Sequence, residues 1–295
     1  MLDISRLDQC CTSEIIDLIE VKEPYFALDE LCWDSEGWLV AKAPVQCQSQ
    51  YENTLMDASE VGRHLAILGS CVGALTNPEK TKHYYLACEA KLETYKSYMS
   101  DSRPEYLFAR AKAEFINKRE LQANAEILDV NGGTVARLEV KYHVLKEKSF
   151  NRIYGDNVAE NIFDVGITNP YENTVKLEIM DFSGNALTTS VGEVKPEMCL
   201  GHFDQVKALP VAILSQCFLN SSYLLLRKRL NEADAKFVLK SCDLKAAKLA
   251  TAGQRVEIQV THVGSRDRSF TTRCVAKNHL DEVVGEMLCQ IDKAL

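Results

Sequence analysis

The 295-residue sequence is short of several features that would place it quickly. Its 11 cysteines include no Cys-x-x-Cys pair, and the only close pair is the vicinal Cys10-Cys11. That argues against a disulfide framework or a zinc ribbon, and for free, mostly buried thiols in a reducing compartment. Histidine and cysteine never recur at ligand spacing, so no metal is expected. Positive charge is in deficit, with 34 Lys and Arg against 42 Asp and Glu, a net charge of −8. A general nucleic-acid-binding surface is therefore excluded. No apolar run reaches the about 18 residues of a membrane span. The longest, LPVAILSQCFLNSSYLLL at 209–226, is interrupted by Ser, Gln and Asn. The opening MLDISRLDQCCTSEIIDL has no basic segment followed by an apolar one, so a cytoplasmic protein is expected. There is no glycine-rich phosphate loop. DVNGGTV at 129–135 reads as a hairpin turn with no helix after it, and no cofactor is expected.

What is present is an ordinary soluble composition, 46% hydrophobic and 26% charged. The length suits one large domain or two of about 150 residues. Two stretches resemble each other. RHLAILGSCVGAL (63–75) and LPVAILSQCFLNS (209–221) align Ala66, Ile67, Leu68 and Cys71 with Ala212, Ile213, Leu214 and Cys217, each pair 146 residues apart. Before each lies a strand–turn–strand pattern, with Ser-Glu-Gly at 35–37 and Ser-Gly-Asn at 183–185 as the turns. After each lies a run of β-rich segments, in which alternation such as Val256, Ile258, Val260 marks one buried face. Each half thus reads as a hairpin, one long apolar helix (about 62–76 and about 210–228) and several antiparallel strands. A helix apolar nearly all round belongs inside its sheet. Apolar periodicity lapses at SFNRIYGDNVAEN (149–161), which places the junction of 1–152 and 153–295.

One motif carries chemistry. Gly201-His202-Phe203 is followed by Pro210, eight residues after the histidine, and then by an apolar helix. With the repeat, this resembles the 3-hydroxyacyl-acyl carrier protein dehydratases of the hotdog superfamily. Those carry a Gly-His-Phe loop, a proline eight residues on and a carboxylate fourteen on. IIDLIEVKEPYFALDEL (15–31) is similar to that family's opening helix and first strand. The departures are Val211, where the family has glycine, and Gln216, where it has the acid. The resemblance implies an α+β double hotdog: two antiparallel sheets, each wrapped around a long central helix, related by a pseudo-twofold axis. It also implies sites built across the two halves. His202 would face Ser70, the repeat equivalent of Gln216. Gln216 would face the counterpart of His202, Met56, with Asp57 and Glu60 nearby.

The activity so implied is dehydration or hydration of 3-hydroxyacyl and 2-enoyl thioesters in fatty-acid or polyketide biosynthesis, a lyase reaction with His202 moving the α-proton. The alternatives are acyl thioester hydrolysis, with Gln216 holding water against Asp57 or Glu60, and a non-catalytic acyl-binding or partner role. Substrates would ride on acyl carrier protein or coenzyme A, and partners would be an enzyme of the same pathway or a second copy in a homodimer. Asp57-Ala-Ser-Glu60 also reads as a helix capping box. Cys71 and Cys217 read as buried small hydrophobes. His64 reads as a helix-start packing residue, and His83, His143, His262 and His279 as surface or edge residues. Arg227, Lys228 and Arg229 read either as charge suited to a helix C-terminus or as a docking patch for carrier protein or coenzyme A phosphates.

Overall fold

A computed structural model describes residues 8–47, 50–95, 104–155, 169–203 and 205–294. The last part of the expected junction, 156–161, lies outside the described residues. The chain runs β1 (Asp8–Gln9), α1 (Thr12–Ile19), β2 (Asp29–Trp33), β3 (Leu39–Pro44), α2 (Ala58–Thr76), β4 (His83–Thr94), β5 (Tyr106–Asn117), β6 (Glu120–Leu128), β7 (Thr134–Lys146) and α3 (Glu147–Tyr154). It continues with β8 (Glu178–Ser183), β9 (Ala186–Glu193), α4 (Val211–Leu230), β10 (Phe237–Ala246), β11 (Arg255–Arg266), β12 (Ser269–Asn278) and β13 (Val283–Lys293).

All the strands form one antiparallel sheet, ordered β1-β2-β3-β5-β6-β7-β4-β10-β13-β12-β11-β9-β8. Outward from the centre, the order on one side is β4, β7, β6, β5, β3, β2. On the other it is β10, β13, β12, β11, β9, β8, the same sequence of positions in each half. The two sheets expected, one per half and joined at their edges, are one continuous sheet. β4 and β10 pair from Ser241↔Glu93 to Lys245↔Glu89, which satisfies two strand edges that would otherwise be open.

Both long helices form where the apolar runs placed them, and both are enclosed. Cys71 and Cys217 are fully buried, as expected. The register of the repeat is not as expected. Ala66 is the ninth residue of α2, whereas Ala212 is the second of α4. Residues 58, 62 and 66 of α2 and 211, 215 and 219 of α4, the first, fifth and ninth of each helix, line one common cavity. The sequence match is therefore seven residues out of structural register. Seven residues are close to two turns at about 3.6 residues per turn, so the same faces are matched and the apolar letters still coincide.

The α2 face that meets the sheet is cut back to glycine. A Cβ at Gly73 would lie 2.5 Å from Leu121 Cδ2 and 2.9 Å from Tyr85, and one at Gly69 would lie 2.6 Å from the Tyr142 hydroxyl. That hydroxyl donates to the Ala66 carbonyl at 2.6 Å. Gly62, two turns before Gly69 on the same stripe, faces the open cavity between the helices and has nothing within 4 Å. We expect Gly73→Ala to cost about 1–3 kcal/mol through overpacking. Gly62→Ala should instead gain about 0.5–1 kcal/mol through helix propensity. Opposite shifts of the thermal midpoint check this, and equal shifts would contradict the packing.

Candidate functional site

His202 follows a 3-10 turn at Pro196–Cys199, in a loop stitched to the segment after α1. Lys22 N–H donates to the Gly201 carbonyl at 2.8 Å, Phe203 N–H donates to the Glu20 carbonyl at 3.2 Å, and Val21 bridges His202. Gly201 has φ 73°, and a Cβ there would run into the Lys22 carbonyl oxygen. Only glycine permits both that backbone conformation and that approach.

The His202 Nδ1 lies 3.1 Å from the Ala208 carbonyl oxygen. A carbonyl only accepts, so Nδ1 carries the hydrogen and Nε2 is left with a lone pair. Burial pushes the imidazole pKa down to about 4; the Ala208 hydrogen bond opposes this and the Lys207 charge adds to it. At neutral pH His202 is an uncharged acceptor of fixed tautomer.

The ring faces an apolar cavity of about 110 Å3 between α2 and α4, closed below by β4, β7 and β10. Ser70 and His202 share this cavity, the juxtaposition expected from the sequence. Ser70 Oγ donates to the Ile67 carbonyl at 2.7 Å, and Ser215 Oγ to the Ala212 carbonyl at 2.7 Å. Their protons are spent on the helix backbone, and their lone pairs remain.

Gln216, Asp57 and Glu60 do not line this cavity. They converge on Cys47, a residue no sequence pattern marks. Gln216 Oε1 accepts from Val175 N–H at 3.0 Å, and its Nε2 lies 3.8 Å from Cys47 Sγ. The Cys47 thiol donates to Asp57; burial, with the Asp57 and Glu60 charges, raises its pKa far above the ordinary value. Glu60 accepts from Gln46 N–H at 2.8 Å and from Cys47 N–H at 3.2 Å, with Arg63 at 3.3 Å and His64 Nε2 at 3.6 Å. All of these side chains are buried.

The expected capping box is not formed. Asp57 sits at the N-cap without a side-chain cap bond, and the Ala58 N–H is taken by Glu52 at 3.0 Å. Glu60 turns away to the loop at 46–47. The other carboxylate oxygen of Glu52 accepts from the Tyr223 hydroxyl at 2.9 Å. Helix position also revises the pairing. Gln216 is the sixth residue of α4, and the sixth of α2 is Arg63, not Ser70. Likewise Met56 does not stand where Gln216 looks; Cys47 does. An arginine inside the apolar run VGRHLAIL was the visible signal of this cluster.

His64 is fully buried against the Pro44 carbonyl at 3.1 Å, which fits a packing role. His83, expected at the surface, is buried at the start of β4 with Nδ1 2.8 Å from the Thr81 carbonyl. The cationic trio lies at the other end of α4. Arg227 donates to the Ala235 and Gln50 carbonyls at 2.9 Å each, Arg229 donates to the Gly184 carbonyl at 3.2 Å, and Lys228 lies 5.3 Å from the Phe182 ring. Among the described residues no cluster of three metal-binding side chains occurs. Nor is any described helix long and apolar enough to cross a membrane.

No protein-family model matches the chain, and no curated protein matches it. Solved structures do. An acyl-CoA thioesterase II from Mycobacterium marinum, TesB2, is 8% identical with a TM-score of 0.54, over 96% of this chain and 98% of that one. An acyl-ACP thioesterase from Bacteroides thetaiotaomicron is 10% identical with a TM-score of 0.52, over 86% and 98%. A protein of unknown function with a hot dog fold from Alicyclobacillus acidocaldarius is 9% identical with a TM-score of 0.52, over 97% and 99%. The fold is therefore the hotdog fold, in a double-hotdog-like layout. Most of the similar structures carry thioesterase names. The expectation of a 3-hydroxyacyl thioester dehydratase, with its lyase chemistry and biosynthetic setting, is corrected accordingly. The hydrolytic pairing expected of Gln216 with Asp57 or Glu60 is likewise corrected, since all three stand outside the His202 cavity.

Proposed function

We propose that the protein hydrolyses short acyl thioesters, with the acyl chain in the cavity between α2 and α4 and the coenzyme A or carrier-protein arm at its mouth. The observation that carries this is His202, a neutral imidazole with an oriented Nε2 lone pair on the wall of an apolar cavity. The thioesterase names among proteins of the same fold support it. The two halves, 1–152 and 153–295, act as two hotdogs that each give the site one helix, and the second adds the His202 loop.

In the reaction, Nε2 takes a proton from water as its oxygen attacks the thioester carbon. The Ser70 oxygen accepts a hydrogen bond from the water's second O–H and orients the water. The carbon–sulfur bond then breaks, and the thiolate leaves with the proton held by the imidazole. An engineered cavity of about 150 Å3 takes one benzene, so about 110 Å3 suits an acyl tail of about four carbons. A base of such low pKa draws protons weakly, so turnover is expected to be slow.

The test is thiol release from acyl-CoA substrates running from butyryl to palmitoyl. Short chains should react fastest, and His202→Ala should lower kcat/KM by at least about 100-fold. His202 acts when uncharged, so activity should stay level as pH falls to about 5 and drop through about 4. No thiol release by the wild type, or an unchanged rate in His202→Ala, overturns the reading. Retention of acyl-CoA without hydrolysis would point to a binding protein.

A further inference from the structure

We infer that Tyr25 is a catalytic residue of this site, its hydroxyl donating a hydrogen bond to the thioester carbonyl as negative charge gathers on the oxygen. The inference rests on the thioesterase reading and supplies what His202 cannot. Hydrolysis needs a donor for the developing oxyanion as well as a base for water, and a neutral imidazole with Nδ1–H held by Ala208 has no proton to offer the substrate.

Tyr25 is placed for that task. It follows α1, is only 6% exposed, and lines the same cavity as His202 and Ser70. Its ring is held edge-on between Tyr171 and His202, with centroid distances of 5.1 Å to each. The N–H of Ala212, the second residue of α4, lies near its hydroxyl and favours negative charge there. The first turn of α4 has only Pro210 at its N-cap, with no side-chain cap bond. Tyr25 and Ala212 line the same cavity, so the Tyr25 hydroxyl stands in the positive field at the start of α4, which polarises its O–H. The Arg63 guanidinium, 6.0 Å from the ring, adds positive charge nearby. Burial raises the phenol pKa, so the proton stays on the oxygen and is there to be shared. No proton is transferred at this step; the hydrogen bond shortens as the tetrahedral carbon forms.

The rival account is that Tyr25 only caps α4. Tyr25→Phe keeps the ring and its packing and removes the donor. If the hydroxyl meets the oxyanion, kcat on butyryl-CoA should fall about 100- to 1,000-fold while KM moves less than about threefold. A capping role would lower the melting temperature and leave kcat alone. A second readout works without turnover. The probe is a butyryl-CoA analogue with a methylene between carbonyl and sulfur, and its carbonyl stretch is followed by infrared difference spectroscopy. The wild type should shift the stretch to lower frequency, and Tyr25→Phe should lose the shift. A wild type that shifts the carbonyl yet releases no thiol would sink hydrolysis and keep Tyr25 as the carbonyl donor. Wild-type hydrolysis with kcat and shift unchanged in Tyr25→Phe, or a ketone that the wild type fails to bind, would overturn the inference.

Discussion

Replacing Glu60 with alanine is expected to remove about 3–5 kcal/mol of stability, a large fraction of what holds a typical domain folded. Glu60, Arg63 and His64 are 4%, 2% and 0% exposed. The Glu60 carboxylate gathers two backbone N–H groups from the loop at 46–47 and stands beside the Arg63 guanidinium. Without it, Arg63 keeps a buried positive charge with, among the described residues, the Gln46 side chain at 2.5 Å and the Tyr171 and Tyr25 rings around it. Water cannot reach the charge, and the loop amides lose their acceptor. The cost is that of stranding one partner, not the net worth of the pair. Removing both charges in Glu60→Leu/Arg63→Met should therefore cost much less than Glu60→Ala alone. Urea midpoints of the two single variants and the double variant measure the coupling. Simple additivity of the single effects would show that the charges do not depend on each other.

The second large effect is expected at Gly201. Gly201→Ala places a methyl against the Lys22 carbonyl oxygen and within 2.9 Å of Glu23 backbone atoms, at φ 73°. The left-handed conformation costs a non-glycine residue about 1–2 kcal/mol, and the overlap about 1–3 kcal/mol more. Backbone faces backbone, so no side chain can swing away. The loop must lift off the segment at 20–23, carrying His202 from the cavity wall. Thiol release should fall at temperatures where circular dichroism still reports the full fold. Equal loss of both signals would mean that the loop and the core unfold together.

Much of the fold was legible because the two enclosed helices are long apolar runs. α2 (58–76) and α4 (211–230) stand close to the expected 62–76 and 210–228. The Gly-His-Phe loop was legible because glycine, histidine and proline each do something no neighbouring residue can. The repeat register misled because helical periodicity tolerates a two-turn slip, so Ala66 and Ala212 match in letter and face but not in height. Asp57 to Glu60 misled for another reason. The local pattern suits a capping box, yet Glu52 and the loop at 46–47 offer better partners from afar. Cys47 and Tyr25 left no local signal at all. Their importance comes from what folding brings beside them, the Gln216 amide and the first turn of α4. That the halves would pair at their edges was legible, but not that β4 and β10 would make the join, since strand spacing does not say which edges meet.

The sixth position of the two central helices holds a further consequence. It is Arg63 in one half and Gln216 in the other. In an assembly of two identical chains, any residue installed at one mouth appears at the other as well. A buried Glu60–Arg63 cluster could not be introduced on one side without its copy arising across the axis. Joining the halves in one polypeptide lifts that constraint. One half is free to carry the buried charge, while the other supplies the His202 loop. A single chain can thus keep the residues that hold the molecule together apart from those that line the His202 cavity. Each set can then drift without the other being dragged along.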